Sequence, residues 1–385
     1  MDALRRDAHT SAVLRNSEPR PGASLALDQW RGLALLLVLI SHGFYFTDHT
    51  AGAGRMGVNL FFFISGILVF RSLNSARVGG WRLLLTFWGR RLRRLYPALV
   101  AYLLLMLLLL PLLQNIRTGL ADADFKSFVH ALPMALSYSI DFAQHVPPTT
   151  GHLWSLSVEV QFYFLAPLIY LLANGSRSRQ SWIFGVVLLI AIVYGFVYPL
   201  RITGAHLETV RYRFEIAVWP MMVGFYCEFA KARLKRLRLA IVKPIFNFGL
   251  IALPLALLVM IAFPNAKLLV ICLGTFLIAP CLVAYMFEMP FSGLTGEALT
   301  WLGERTYSIY LLQQPLTIAR FLPSILQPIG ALASLLFGSM WFTCFEKPFL
   351  SKSREKQILY VPIASEGVTG QLQPVTSESR TAGVT

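Results

Sequence analysis

Charge is scarce in this chain: acidic and basic residues together make up 14% of it, against 56% hydrophobic residues. A soluble globular domain carries about 25% charge, so an ordinary polar surface over a buried core is excluded, and the composition is that of a polytopic membrane protein. Acid is scarcer still, with 19 Asp and Glu facing 34 Lys and Arg for a formal charge of +15. The basic residues gather in short stretches between apolar segments, which is the pattern of cytoplasmic loops and anionic-lipid contact. No nucleic-acid fold signature accompanies them. Cysteine is nearly absent: Cys227, Cys272, Cys281 and Cys344 sit singly in apolar stretches and read as small packing residues rather than disulfides. Neither Cys-x-x-Cys nor His-Glu-x-x-His occurs, so no protein-bound metal is expected.

What the chain has in abundance is long apolar runs. Windows long enough to cross a bilayer fall near 28–46, 57–74, 95–113, 154–173, 181–199, 214–230, 245–263, 267–287, 303–321 and 325–345. The segment 126–141 is shorter, holds Pro133 and precedes Pro147-Pro148, so it reads as interfacial or re-entrant. The expected fold class is all-α, a polytopic membrane helix bundle of about ten transmembrane helices. Residues 1–26 and 350–385 read as disordered cytoplasmic tails on either side of one membrane domain, 27–349. No small-residue cleavage pattern follows the first apolar run, so it is expected to remain as the first span. Ten spans put both termini on one side. Lys and Arg number eighteen on that side, in 75–94, 174–180, 231–244 and 347–356, and eight on the other. That asymmetry predicts a multi-pass protein of the cytoplasmic (inner) membrane with cytoplasmic termini. The loop 288–302 has no Lys or Arg and adds nothing to it. No internal repeat of the transporter kind is visible.

Ionisable groups inside such runs are costly unless paired or wetted, and the first window holds two, Arg31 and His42. Eleven residues make close to three turns, so both lie on nearly one helix face, about 16 Å apart. The topology places Arg31 near the cytoplasmic end and His42 near the outer end. Taken singly, each has a plainer reading, as a snorkelling arginine and as a wetted helix-end histidine. Arg91 and Arg94 are three apart and share a helix face, and simple positive-inside anchoring accounts for them equally well. Glu159 enters the fourth window from outside, within a turn or two of the level expected for His42. Trp154 and Tyr163 read as interface or packing aromatics, or as the wall of a substrate groove. The run Phe61–Phe63 with Ser65-Gly66 reads as tight helix packing.

Six stretches, in order, resemble the acyltransferase-3 family of integral membrane acyltransferases, which includes polysaccharide and lipopolysaccharide O-acetyltransferases. They are Leu27-Asp28-Gln29-Trp30-Arg31-Gly32-Leu33-Ala34 with His42, Gly57-Val58-Asn59-Leu60-Phe61-Phe62-Phe63-Ile64-Ser65-Gly66, and Arg91-x-x-Arg94-Leu95-Tyr96-Pro97. Further on come Leu153-Trp154-Ser155-Leu156-Ser157-Val158-Glu159-x-Gln161-Phe162-Tyr163, Thr306-Tyr307-Ser308-Ile309-Tyr310-Leu311 and Phe345-Glu346-Lys347-Pro348. The resemblance covers residues 27–349. It implies transfer of an acyl group, usually acetyl, from cytoplasmic acyl-CoA to a hydroxyl of a cell-surface carbohydrate or lipid-linked glycan.

On that resemblance His42 is the general base, its ordinary pKa of about 6.5 suiting proton abstraction near neutrality. Glu159 orients it, or else binds acceptor hydroxyls. Arg31, Arg91 and Arg94 bind the donor, since guanidinium forks match the phosphates of coenzyme A. Trp154, Tyr163 and Gln313 are candidates for the substrate groove. Family members often carry histidine where this chain has Gln313, which hydrogen-bonds but does not titrate. Acyl-CoA is a co-substrate and no resident cofactor is expected. The expected partners are acyl-CoA, a carbohydrate or lipid-linked glycan acceptor and membrane lipid, with no nucleic acid. Succinyl in place of acetyl, or a transporter or flippase for lipid-linked glycans, are the alternatives. Because one acetyl group cannot touch Arg31 and His42 together, the reading requires a tunnel along the first helix.

Overall fold

In lipid every backbone N–H and C=O must be satisfied within its own segment, so uninterrupted apolar runs fold as helices. A computed structural model of the chain describes residues 21–43, 51–76, 78–116, 122–143, 146–174, 176–200, 212–236, 290–317 and 326–350, and their regular structure is entirely helical. The helices are α1 Pro21–Gly43, α2 Ala51–Asn74, α3 Gly80–Ile116, α4 Asp122–Leu136, α5 Leu153–Leu172, α6 Arg177–Leu200, α7 Phe214–Ala217, α8 Trp219–Arg236, α9 Gly293–Thr317 and α10 Gln327–Trp341. A 3-10 turn at Ile140–Phe142 precedes α5, and α10 runs on into a π-helical turn at Phe342–Glu346.

Among the described residues 6 helices are long and apolar enough to cross a membrane, not the ten of the sequence reading. The windows 245–263 and 267–287 lie outside the described residues, as do 1–20 and 351–385. The window 214–230 is broken between α7 and α8, where Pro220 has no N–H to give the ladder. The described part of the window at 303–321 belongs to α9, which begins at Gly293. It falls short of a lipid-facing composition because Thr306, Ser308 and Gln313 are buried inside the bundle. The stretch expected as a loop, 75–94, is mostly helix: Leu83, Leu84 and Phe87 are buried on one face of α3, so the arginine run rides on an amphipathic helix. At the other end of the chain α1 begins at Pro21, inside the stretch expected as a tail. The segment 126–141 forms α4, of 15 residues, short of the length needed to cross.

Close packing centres on α1, which lies against α9 and α2, with α2 in turn against α8 and α9 against α10. Two reciprocal glycine contacts set these crossings. A Cβ on Gly32 would collide with the Leu299 carbonyl, and one on Gly303 with that of Asp28. Gly66 and Gly224 stand in the same relation to Met221 and Phe63. Small residues let helix backbones touch where lipid offers no hydrophobic drive for association. The outer faces are the converse: Leu104, Leu108 and Leu112 on α3, and Leu332, Leu336 and Met340 on α10, are exposed at four-residue spacing, as a lipid-facing stripe requires.

Candidate active site

Where α1, α2, α3, α5 and α9 meet they leave a narrow cleft with a polar wall. That wall includes Arg31, Ser65, Arg91, Arg94, Glu159, Tyr163 and Tyr310. Five residues singled out in the sequence are thus brought together: Arg31, Arg91, Arg94, Glu159 and Tyr163. His42, Trp154 and Gln313 do not line this cavity.

Glu159 is held by hydroxyls. Its Oε1 accepts from Ser65 Oγ at 2.5 Å and from the Tyr163 hydroxyl one turn further along α5, and Ser65 Oγ and Tyr163 Oη are 3.0 Å apart. The Arg91 guanidinium lies over the Tyr163 ring, 4.8 Å from its centroid, a cation–π contact that leaves the donors at its edge open. Arg94 donates from Nη2 to Glu346 Oε1 at 3.3 Å, while its buried Nε has no hydrogen-bond partner. Glu346 is wholly buried, and Ser308 Oγ donates to its second oxygen at 2.8 Å. Arg31 has Asp28 at 3.6 Å on its own helix and stands within electrostatic reach of Arg94 and Glu159. Asp28, Glu159 and Glu346 balance the three guanidiniums in formal charge, so what the cavity offers an anion is a convergence of guanidinium donors rather than an excess of charge.

His42 is placed differently from expectation. Its Nδ1 is 3.1 Å from the Val38 carbonyl. A carbonyl only accepts, so Nδ1 carries the proton and Nε2 presents its lone pair. Among the described residues Val38 is the hydrogen-bond partner of the ring and Glu159 is not. The expected Glu159–His42 pairing is absent because Ser65 and Tyr163 draw Glu159 into the arginine cavity. The expected tunnel along the first helix is also absent. Between Arg31 and His42, Leu35 and Val38 are fully buried, and the Gly57 turn of α2 presses on Val38 and Ala34, so apolar packing fills the face.

Trp154 packs away from the cavity, 5.9 Å from Phe62 and 4.8 Å from Tyr212, with Arg55 5.2 Å over its ring. Gln313 is fully buried with both amide atoms unpartnered.

Four residues that the sequence reading did not assign to the site belong with it. Ser65 sat in a run read as packing, and Glu346 in a motif quoted only for resemblance; an acid inside an apolar stretch was the available signal. Tyr310 lines the cavity, is 2.7 Å from Ser155 Oγ and donates to the His152 carbonyl at 3.1 Å. The His152 ring lies between Tyr102 and Tyr310, with centroids 5.7 and 5.6 Å away. Burial, and then the nearby His42, hold the His152 imidazole down to about 3, so it is neutral. Outside the cavity, burial pushes Asp141 up to about 6, while Gln161 Nε2 donates to its Oδ1 at 2.8 Å and the Phe214 N–H to its Oδ2 at 3.1 Å. No cluster of His, Cys, Asp and Glu able to hold a metal occurs among the described residues.

Comparison with known proteins points one way. A family model described as an acyltransferase domain matches residues 24–345. The O-acetyltransferase OatA of Staphylococcus aureus is 35% identical over 148 residues, 37% of this chain and 24% of that protein. The peptidoglycan O-acetyltransferase OatA of Listeria monocytogenes is 25% identical over 357 residues, 84% of this chain and 55% of that protein. The chain therefore spans about half of the Listeria protein and less of the Staphylococcus one. No solved structure matches the chain.

Proposed function

The chain belongs to the acyltransferase-3 family, and on that premise we propose that it moves an acetyl group from acetyl-CoA to a hydroxyl of peptidoglycan or a related cell-envelope glycan. The observation that carries the reading is the convergence of Arg31, Arg91 and Arg94 on one cavity. Coenzyme A bears a pyrophosphate and a ribose phosphate, and guanidinium edges bind such oxygens by paired, charge-assisted hydrogen bonds. The name of the Listeria relative supplies the acceptor class. In the membrane the arginine mouth faces the cytoplasm, where acyl-CoA is made, in keeping with the excess of Lys and Arg on that side.

In this reading the acceptor oxygen attacks the thioester carbon, His42 Nε2 takes the hydroxyl proton, and the C–S bond breaks to release CoA as thiolate. The thiolate is then protonated, and His42 returns to its neutral form. The proton on Nδ1, held by Val38, keeps Nε2 as the basic atom throughout. Because Leu35 and Val38 fill the α1 face between Arg31 and His42, this reading requires the thioester to reach His42 by way of the Ser155–Tyr310 pair and His152, which link the cavity wall to His42. The acceptor comes from the side of His42.

The test is acetyl transfer from labelled acetyl-CoA to peptidoglycan fragments by the purified full chain, with Arg91→Ala/Arg94→Ala beside wild type. The variant is expected to raise the KM for acetyl-CoA. An unchanged donor dependence would return both arginines to a purely topological role.

A further inference from the structure

We propose that Thr149, His152, Gln313 and Gln314 form a neutral, hydroxyl-binding site, separate from the arginine cavity, which takes the sugar hydroxyls of the acceptor. It rests on the acyl-transfer reading above for the identity of its ligand, and on the following observations for its existence.

Buried polar atoms in native proteins are nearly always paired, yet Thr149 Oγ1 and both amide atoms of Gln313 are buried and unpartnered, and His152 Nδ1 and Gln314 Oε1 have only each other's side chains close by. Gln313 is 0% exposed, His152 3% and Thr149 4%. They belong to one neighbourhood. The Thr149 carbonyl accepts from the Tyr102 hydroxyl, and Tyr102 packs edge-on against His152. Gln314 Nε2 lies 3.3 Å from where a Cβ on Gly151 would sit, and Gln314 interacts with the His152 ring. On α9 the stripe of Thr306 and Tyr310, both cavity-lining, continues to Gln313 one turn on.

The chemistry of the set is specific. His152 Nε2 is 3.0 Å from the Leu311 carbonyl, so it carries the proton and Nδ1 is an acceptor. Gln313 offers a donor and an acceptor, Gln314 an acceptor, and Thr149 both. None of the four is charged, in contrast to the three guanidiniums beyond Tyr310. A phosphate would find no cation here, whereas a polyhydroxyl ligand both donates and accepts. The position is also right: His152 touches Tyr310 on the cavity side and is within electrostatic reach of His42.

The experiment measures binding of the tetrasaccharide of β-1,4-linked N-acetylglucosamine to the full chain in detergent, without donor, for wild type, Gln313→Leu, Thr149→Val and Gln313→His. Thermal unfolding and acetyl-CoA affinity are followed in parallel. Gln313→Leu and Thr149→Val are expected to raise the saccharide Kd at least tenfold, with acetyl-CoA affinity and Tm unchanged or Tm raised, since removing an unpartnered buried polar group relieves a cost. Gln313→His is expected to retain binding. Saccharide affinity unchanged in both apolar variants, with Tm lowered, would mean internal water alone satisfies these atoms, and would overturn the site. Loss of acetyl-CoA affinity in Gln313→Leu would assign the cluster to the donor and also overturn it. Gln313-dependent saccharide binding without acetyl transfer would leave the site standing and remove the transfer reading; transfer with variants binding as wild type would do the reverse.

Discussion

Arg94 and Glu346 stand 252 residues apart in the chain and 3.3 Å apart in the structure, a carboxylate with no solvent exposure holding a cavity-lining guanidinium. A buried charge stripped of its partner is costly, and here the pairing also decides where Arg94 points. Glu346→Ala is expected to lower stability by about 3 kcal/mol, the low end for a broken buried pair because Arg94 keeps some solvent contact. Glu346→Gln, which keeps an acceptor for Ser308, is expected to lose less. Thermal unfolding in detergent reads both; equal Tm for Glu346→Ala and wild type would show that the pair is not stabilising.

Arg91 stacks on Tyr163 as a flat cation, which a lysine does not reproduce. Arg91→Lys is therefore expected to weaken acetyl-CoA binding about tenfold, the loss of one good charge-assisted contact, and Arg91→Ala by as much or more. Isothermal titration with CoA measures this. Wild-type affinity in Arg91→Lys would mean that charge alone, and not the fork, serves the site.

The Gly32–Gly303 contact joins α1 to α9 backbone against backbone. Gly303→Ala is expected to cost about 1–3 kcal/mol, the usual range for overpacking, and to lower Tm, since the obstacle is a carbonyl and not a flexible side chain. Gly79→Ala, where a Cβ meets nothing within 4 Å, is the matched control and is expected to leave Tm unchanged.

Asp141 carries a pH signature. Its carboxyl is raised from 3.8 to about 6 in the fold, so between those values the native state holds a proton that the unfolded state releases. Stability is then greatest below about pH 4, falls as pH rises through about 6, and is flat above. Asp141→Asn is expected to remove that slope from Tm measured between pH 4 and 7. A slope unchanged in Asp141→Asn would place its origin in another group.

Much of this architecture was legible because lipid makes sequence signals blunt. The helix-bundle class follows from apolar run length, and the costly groups Arg31, Arg91, Arg94 and Glu159 do gather at one cavity. What the sequence hid was non-local. Nothing near Glu346 tells that it reaches Arg94, and nothing near Glu159 tells that Ser65, 94 residues away, joins Tyr163 in holding it away from His42. The stripe from Arg31 to His42 is real as a helix face, but Leu35 and Val38 seal it, because packing between helices is decided by the partner surface. The start of α9 reads as a loop by apolar run length, whereas it is a helix held by one face, with Gly296, Leu299 and Leu302 buried while Leu294 and Trp301 are exposed.

The most direct test of the account is acetyl transfer from labelled acetyl-CoA to peptidoglycan fragments by His42→Ala beside wild type, with CoA affinity and thermal unfolding confirming an intact fold. Loss of a general base costs about 10²–10⁴ in rate, so the expected result is at least a hundredfold fall in transfer with CoA binding retained. Transfer at the wild-type rate by a folded His42→Ala protein would contradict it.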